Sequence, residues 1–206
     1  AVRRAALLAV AKLGLDSHKR GELAGRLLPL LEEGDLGQMV EPALAALRGA
    51  SLGAHRRPAL HRLLGSAHAG VREFAMQALA AQKSARSLAE LLACLDSSDP
   101  AVVAEAIVAL GQTPQAAAPL AKRLLRARDA GAAKGLAEAL ARQAAAIPKA
   151  LRGKLVRAYL AYATPGAQPQ AGAAEQAGAL LAVLRASGTA ELAAAALKQA
   201  RRLRAS

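Results

Sequence analysis

One phrase recurs along this chain: an apolar residue followed by small or apolar residues four, seven and eight positions later. It is clearest as Val71, Ala75, Ala78, Leu79 and as Val102, Ala106, Ala109, Leu110. The same spacing fits Val2, Ala6, Ala9, Val10; Met39, Ala43, Ala46, Leu47; Ala132, Leu136, Ala139, Leu140; and, more loosely, Ala173, Ala177, Leu180, Leu181. Positions i, i+4, i+7 and i+8 share one face of a helix with about 3.6 residues per turn, so each phrase reads as an amphipathic helix. Successive starts lie 37, 32, 31, 30 and 41 residues apart, a length that suits one helical hairpin. Such a unit cannot bury its apolar face alone and must stack on its neighbours. The expected fold is therefore an all-α solenoid, a superhelical stack of about six helix pairs.

Composition agrees with that reading. Hydrophobic residues make up 54 % of the 206-residue chain and aromatics only 1 %, so the apolar content is mostly Ala, Leu and Val. Ala and Leu are strong helix formers, and the residues that favour strands are scarce. Each phrase is followed by a Leu-rich second helix, as in Leu88, Leu91, Leu92, Leu95 or Leu120, Leu124, Leu125. Twelve helices are predicted: 2–13, 20–32, 36–48, 55–65, 70–81, 84–95, 100–110, 114–127, 130–144, 148–163, 173–186 and 189–203. Asp99-Pro100 and Thr113-Pro114 supply N-capping oxygens ahead of a proline that needs no amide hydrogen. Gly14, Gly49, Gly65 and Gly111 stand where helices should stop. The whole of 1–206 reads as one repeat domain with a looser connector at 164–172. Because Val2-Arg3 already lies inside the repeat pattern, a fragment of a longer array is expected, with Val2, Ala6, Leu7 or Val10 exposed on the first helix.

The segment Ser98-Asp99-Pro100-Ala101-Val102, leading to Ala106, Ala109, Leu110 and Gly111, resembles the first helix of a HEAT repeat, of the short bacterial sort also found in phycobilisome-lyase-like proteins. Val2-Arg3 and Val71-Arg72 show the Val-Arg pair typical of that repeat. The resemblance implies a HEAT-like α-solenoid in which second helices line the concave surface. It carries no catalytic residue across.

No reaction centre emerges from the residues themselves. Gly49-Ala50-Ser51-Leu52-Gly53 matches a nucleophile-elbow string, but no strand precedes it and it falls between two helices. His18, His55, His61 and His68 lack ligand spacing, and Arg56, Arg57 and Arg62 beside two of them would repel a cation. Glu32-Glu33 with Asp35 reads as a solvated helix end. Gly131 and Gly135 read as a helix contact, with no phosphate loop, so neither a cofactor nor a small-molecule substrate is indicated. Cys94, the single cysteine, sits in an apolar run and reads as a buried inert thiol. No window is long and apolar enough for a membrane span.

Charge is what remains. The net charge is +13, unevenly placed: predicted first helices carry a net +3, second helices with their flanking residues +15. The density peaks at Lys122, Arg123, Arg126 and Arg128, then at Lys149, Arg152, Lys154 and Arg157. On a helical projection Lys149, Lys154 and Arg157 face away from Leu151, Leu155 and Tyr159, with Arg152 at the border. Arg56, Arg57 and Arg62 with His55 and His61 form a third cluster. Such placement fits an anionic partner, either an acidic protein segment or a nucleic-acid backbone. The only aromatics are Phe74, Tyr159 and Tyr162, and the tyrosines project towards the apolar side, so platforms for stacking unpaired bases are lacking. The leading expectation is a non-enzymatic protein-binding scaffold. A module contacting duplex phosphates is the alternative, and an accessory domain of an enzyme the third.

Overall fold

The computed structural model describes residues 2–13, 16–34, 37–127, 129–163 and 173–188. Among these residues it contains eleven α-helices and no strand: α1 Val2–Lys12, α2 Ser17–Glu33, α3 Val40–Leu47, α4 Arg57–Leu63, α5 Ala69–Ala81, α6 Ala85–Cys94, α7 Pro100–Gly111, α8 Ala117–Leu124, α9 Ala130–Arg142, α10 Lys149–Ala163 and α11 Ala173–Ala186. The architecture is an all-α solenoid of helix pairs, as the periodicity requires. The expected twelfth helix at 189–203 and the connector at 164–172 lie outside the described residues.

Helix starts follow local capping chemistry. Asp16 Oδ1 accepts the Lys19 amide at 2.8 Å, so α2 begins three residues earlier than its apolar spacing suggests. Ser84 Oγ accepts the Ser87 amide at 3.0 Å, and Asp129 Oδ1 accepts that of Ala132 at 2.7 Å. Asp99 Oδ1 caps α7 through the Ala101 amide at 2.8 Å. Thr113, expected to cap in the same way, makes no side-chain capping bond; it is buried, and a single 3₁₀ turn at Pro114–Ala116 leads into α8 instead. Similar turns at Gly37–Met39 and Ala54–Arg56 precede α3 and α4 and shorten those α-helices relative to the expected spans, whereas the turn at Ala144–Ala146 lies before the expected start of α10, which is met to within one residue. Tight turns of this kind are common at helix starts.

The chain divides into two compact units, Ala1–Ala109 and Leu110–Ser206, the division falling inside α7. In the first unit α1, α3 and α5 pack in sequence, α2 packs on α4, and the two rows meet through α2 with α3, α4 with α5 and α5 with α6. In the second unit α9 packs on α11 and α8 on α10, joined through α8 with α9 and α10 with α11. Both units are thus layers of first helices against layers of second helices.

The recurring phrase supplies the core. Ala43, Ala46 and Leu47, Val71, Ala75 and Leu79, Ala106, Ala109 and Leu110, and Leu136, Ala139 and Leu140 are all buried. Second helices contribute Leu28, Leu60, Leu63 and Leu91 in the first unit, and Leu120, Leu124 and Leu155 in the second. Each such Leu contributes about 1.5–3 kcal/mol on burial. The small residues between them set the spacing. A Cβ on Gly111 would lie 3.2 Å from the Cβ and 3.3 Å from the Cα of Ala139, so Gly111 ends α7 as a close-approach residue. Gly49, by contrast, takes a left-handed φ of 76° just past α3, where a side chain would be strained.

The first helix departs from the phrase. Ala6 and Ala9 are exposed and Leu7 and Val10 half-buried, while Leu8 and Leu13 are 40 % and 67 % exposed. Of the packed pairs, α1 rests on α3, so much of its apolar surface is left open. The side chain of Val2 is outside the described set.

Candidate functional site

Helix α4 and the turn before it place Arg56, Arg57 and Arg62, together with His55 and His61, in the first unit. Arg57 Nη1 donates to Glu90 Oε1 of α6 at 2.6 Å, and His61 Nδ1 lies 3.6 Å from the other Glu90 oxygen. Arg62 grips Glu32 of α2 with two bonds, Nε to Oε2 at 2.8 Å and Nη2 to Oε1 at 3.1 Å. Those bonds hold the Arg62 guanidinium above its ordinary value, the hydrogen bonding to Glu32 being the main cause. Arg56 reaches back to α2, where a Cβ on Gly25 would lie 2.7 Å from its Nη2. Arg57 and Arg62 therefore tie α4 to its two neighbouring second helices, and both carry a carboxylate partner.

The second unit holds the other seven candidate residues on α8, just beyond it, and on α10, two helices that pack together. Lys122 and Arg126 are exposed and Arg123 is half-buried; on α10 Lys149, Lys154 and Arg157 are exposed and Arg152 is half-buried. Leu151, Leu155 and Val156 turn inward, so the expected division of α10 into a basic and an apolar side is observed. Neither α8 nor α10 contains an acidic residue. Among the described residues Lys122, Arg126, Lys149, Lys154 and Arg157 make no ion pair. The tyrosines differ from one another: Tyr159 is half-buried, whereas Tyr162 is 38 % exposed. Tyr162 follows Leu151 and Leu155 on the apolar side of α10, yet in the last turn it is left open to solvent.

Several polar cross-links were not anticipated from the sequence, although Arg72 belongs to the Val-Arg pair of the repeat. Arg72 of α5 pairs with Glu105 of α7, Nε to Oε2 at 3.0 Å and Nη2 to Oε1 at 2.8 Å. Its Nη1 donates to the Ser66 and Ala67 carbonyls at 3.0 and 3.2 Å. Glu105 accordingly raises the Arg72 guanidinium above its ordinary value. Gln82, just past α5, donates to the Leu52 carbonyl at 3.2 Å, and Gln143, just past α9, to that of Leu110 at 3.2 Å. Gln82 and Gln143 occupy the same place in the repeat, eleven residues after Val71 and Ala132. Partners in these links stand 30 or 33 residues apart, one repeat, and that coincidence with the period was the signal available.

The remaining chemical features are isolated. Ser51 is exposed in the loop between α3 and the turn before α4. Cys94 ends α6 half-buried, its Sγ donating to the Glu90 carbonyl at 3.4 Å. Burial, and then the Glu90 charge, pushes its thiol up. Among the described residues no group of His, Cys, Asp or Glu is arranged to hold a metal, and no helix is long and apolar enough to cross a membrane. An open groove of about 530 Å³ runs between α9 and α11, lined by Gly131, Ala137, Gly178 and Ala182 with Glu138 and Glu175.

Comparison with protein families matches the model described as HEAT repeats to residues 56–141. Residues 56–141 are thus similar to HEAT repeats. The match runs from the turn before α4 to the end of α9 and covers the helices where the phrase is sharpest. HEAT repeats commonly serve as protein-interaction scaffolds, since stacked repeats present an extended surface to a partner. Neither a curated protein nor a solved structure matches the chain.

Proposed function

We propose that this chain is a non-enzymatic binding scaffold whose second helices present cations to an acidic protein partner. The observation that carries the reading is the acid-free pair α8 and α10, with Lys122, Arg126, Lys149, Lys154 and Arg157 solvated and without an ion pair among the described residues. Cations placed for solubility alone would be expected on first helices too. Those of α9 and α11 instead mix signs, with Lys134 and Arg142 against Glu138, and Arg185 against Glu175. Arg123 and Arg152 complete the proposed surface, and Arg56, Arg57 and Arg62 extend the set in the first unit. The second reading, contact with duplex phosphates, shares the same cations and differs in its salt response.

Fluorescence anisotropy of the full chain with poly-L-glutamate and with a short DNA duplex, each across a salt series, separates the two. Duplex binding falls by roughly 0.9 log units per neutralised phosphate for each tenfold rise in salt. A protein partner loses association rate while its apolar contacts persist. Charge reversal at Lys122, Arg126, Lys154 and Arg157 should abolish poly-L-glutamate binding with helicity unchanged. Unaltered binding after reversal refutes the surface.

A further inference from the structure

Helix α1 leaves one face open to solvent. Ala5, Leu8, Ala9 and Lys12 stand at positions i, i+3, i+4 and i+7, on one side of the helix, and all four are exposed. Leu8 is 40 % exposed and Leu13, in the turn that follows, 67 %. The helix packs on α3, with Leu7 and Val10 half-buried. An apolar run at this spacing, ending in a cation, is the pattern of anchors that a helix presents to a groove.

The open groove between α9 and α11 has the complementary chemistry. Ala137, Gly178 and Ala182 line it, with the exposed Lys134, Glu138 and Glu175. On α11 Glu175, Gly178 and Ala182 share one side, again at i, i+3 and i+7. Among the described residues neither Glu138 nor Glu175 makes an ion pair, and nor does Lys12. The lengths agree as well: Ala5 to Lys12 spans about 10 Å and Ala130 to Glu138 about 12 Å, at roughly 1.5 Å per residue. Gly178 leaves room for an incoming side chain, since a Cβ there would meet nothing within 4 Å.

We propose that α1 of one copy docks in the groove between α9 and α11 of a second copy, with Leu8 over Gly178 and Lys12 against Glu175. Face and groove are different surfaces, so the contact is head-to-tail and does not depend on an acidic partner. The test is sedimentation equilibrium of the full chain up to about 0.5 mM, because a contact this small is transient. About 0.15 M salt screens the repulsion between copies beyond about 8 Å. The average mass should rise with concentration. Leu8→Glu, which sets a carboxylate against Glu138 and Glu175, and Gly178→Leu, which fills the groove without touching its own chain, should each stay monomeric with helical circular dichroism retained. Mixed in equal amounts, those two variants should form a dimer and stop there, since one supplies the groove and the other the face. Lys12→Glu should weaken association, and adding Glu175→Lys to it should restore association. A monomer mass at every concentration, association that survives Leu8→Glu or Gly178→Leu, or a mixture that stays monomeric overturns the proposal.

Discussion

Glu105→Ala should be among the most damaging single changes outside the apolar core. The Arg72 side chain is 10 % exposed and that of Glu105 18 %, so removing the carboxylate strands a cation that water barely reaches. Breaking a fully buried pair costs about 3–5 kcal/mol, because one charge is left uncompensated. Arg72 keeps its bonds to the Ser66 and Ala67 carbonyls, and loss of the two charge-assisted bonds to Glu105 brings the expected cost to about 2–3 kcal/mol. Replacing both partners, Arg72→Met with Glu105→Leu, leaves no stranded charge and should cost only about 1 kcal/mol. Urea denaturation of the full chain followed by helical circular dichroism reads the difference. With a slope of about 1–3 kcal/mol per molar urea, the single variant should shift the midpoint by about 1 M. A shift below about 0.2 M, or a double variant less stable than the single, would mean that the pair does not hold α5 to α7 as argued.

Three further outcomes follow from named contacts. Gly111→Leu should destabilise by about 1–3 kcal/mol through overpacking against Ala139, read by the same denaturation. Asp129→Ala should lose about 1 kcal/mol through the missing cap and speed amide exchange at Ala132. Because burial and the Glu90 charge raise the Cys94 thiol, alkylation at neutral pH should be slow in the native chain and fast in urea, and native reactivity should grow only as pH climbs above the ordinary thiol range; equal native and denatured rates would contradict its packing.

The helix pairs were legible because a 3.6-residue periodicity, repeated at 30 to 41 residues, admits few other folds. Val71, Ala75 and Leu79 or Ala106, Ala109 and Leu110 follow directly from it. Boundaries were less legible at α3, α4 and α8, where a 3₁₀ turn precedes the helix and carries the same apolar spacing. The exposure of Lys149, Lys154 and Arg157 on α10 was readable from helical projection alone. Pairing was not, because Arg57 with Glu90 and Arg62 with Glu32 join residues of different helices, and charge counted along one helix is blind to its neighbour. Tyr162 shows the same gap from the other side: projection assigns it to the apolar side, and only the packed unit reveals that it stays 38 % exposed.

The most direct test of the account is hydrogen–deuterium exchange of the full chain with and without poly-L-glutamate. Protection gained chiefly in residues 117–126 and 149–162, with less at 57–62, where Glu90 and Glu32 already hold Arg57 and Arg62, is the predicted footprint. Protection centred on 57–62, or on the groove between α9 and α11 with none at α8 and α10, would contradict it.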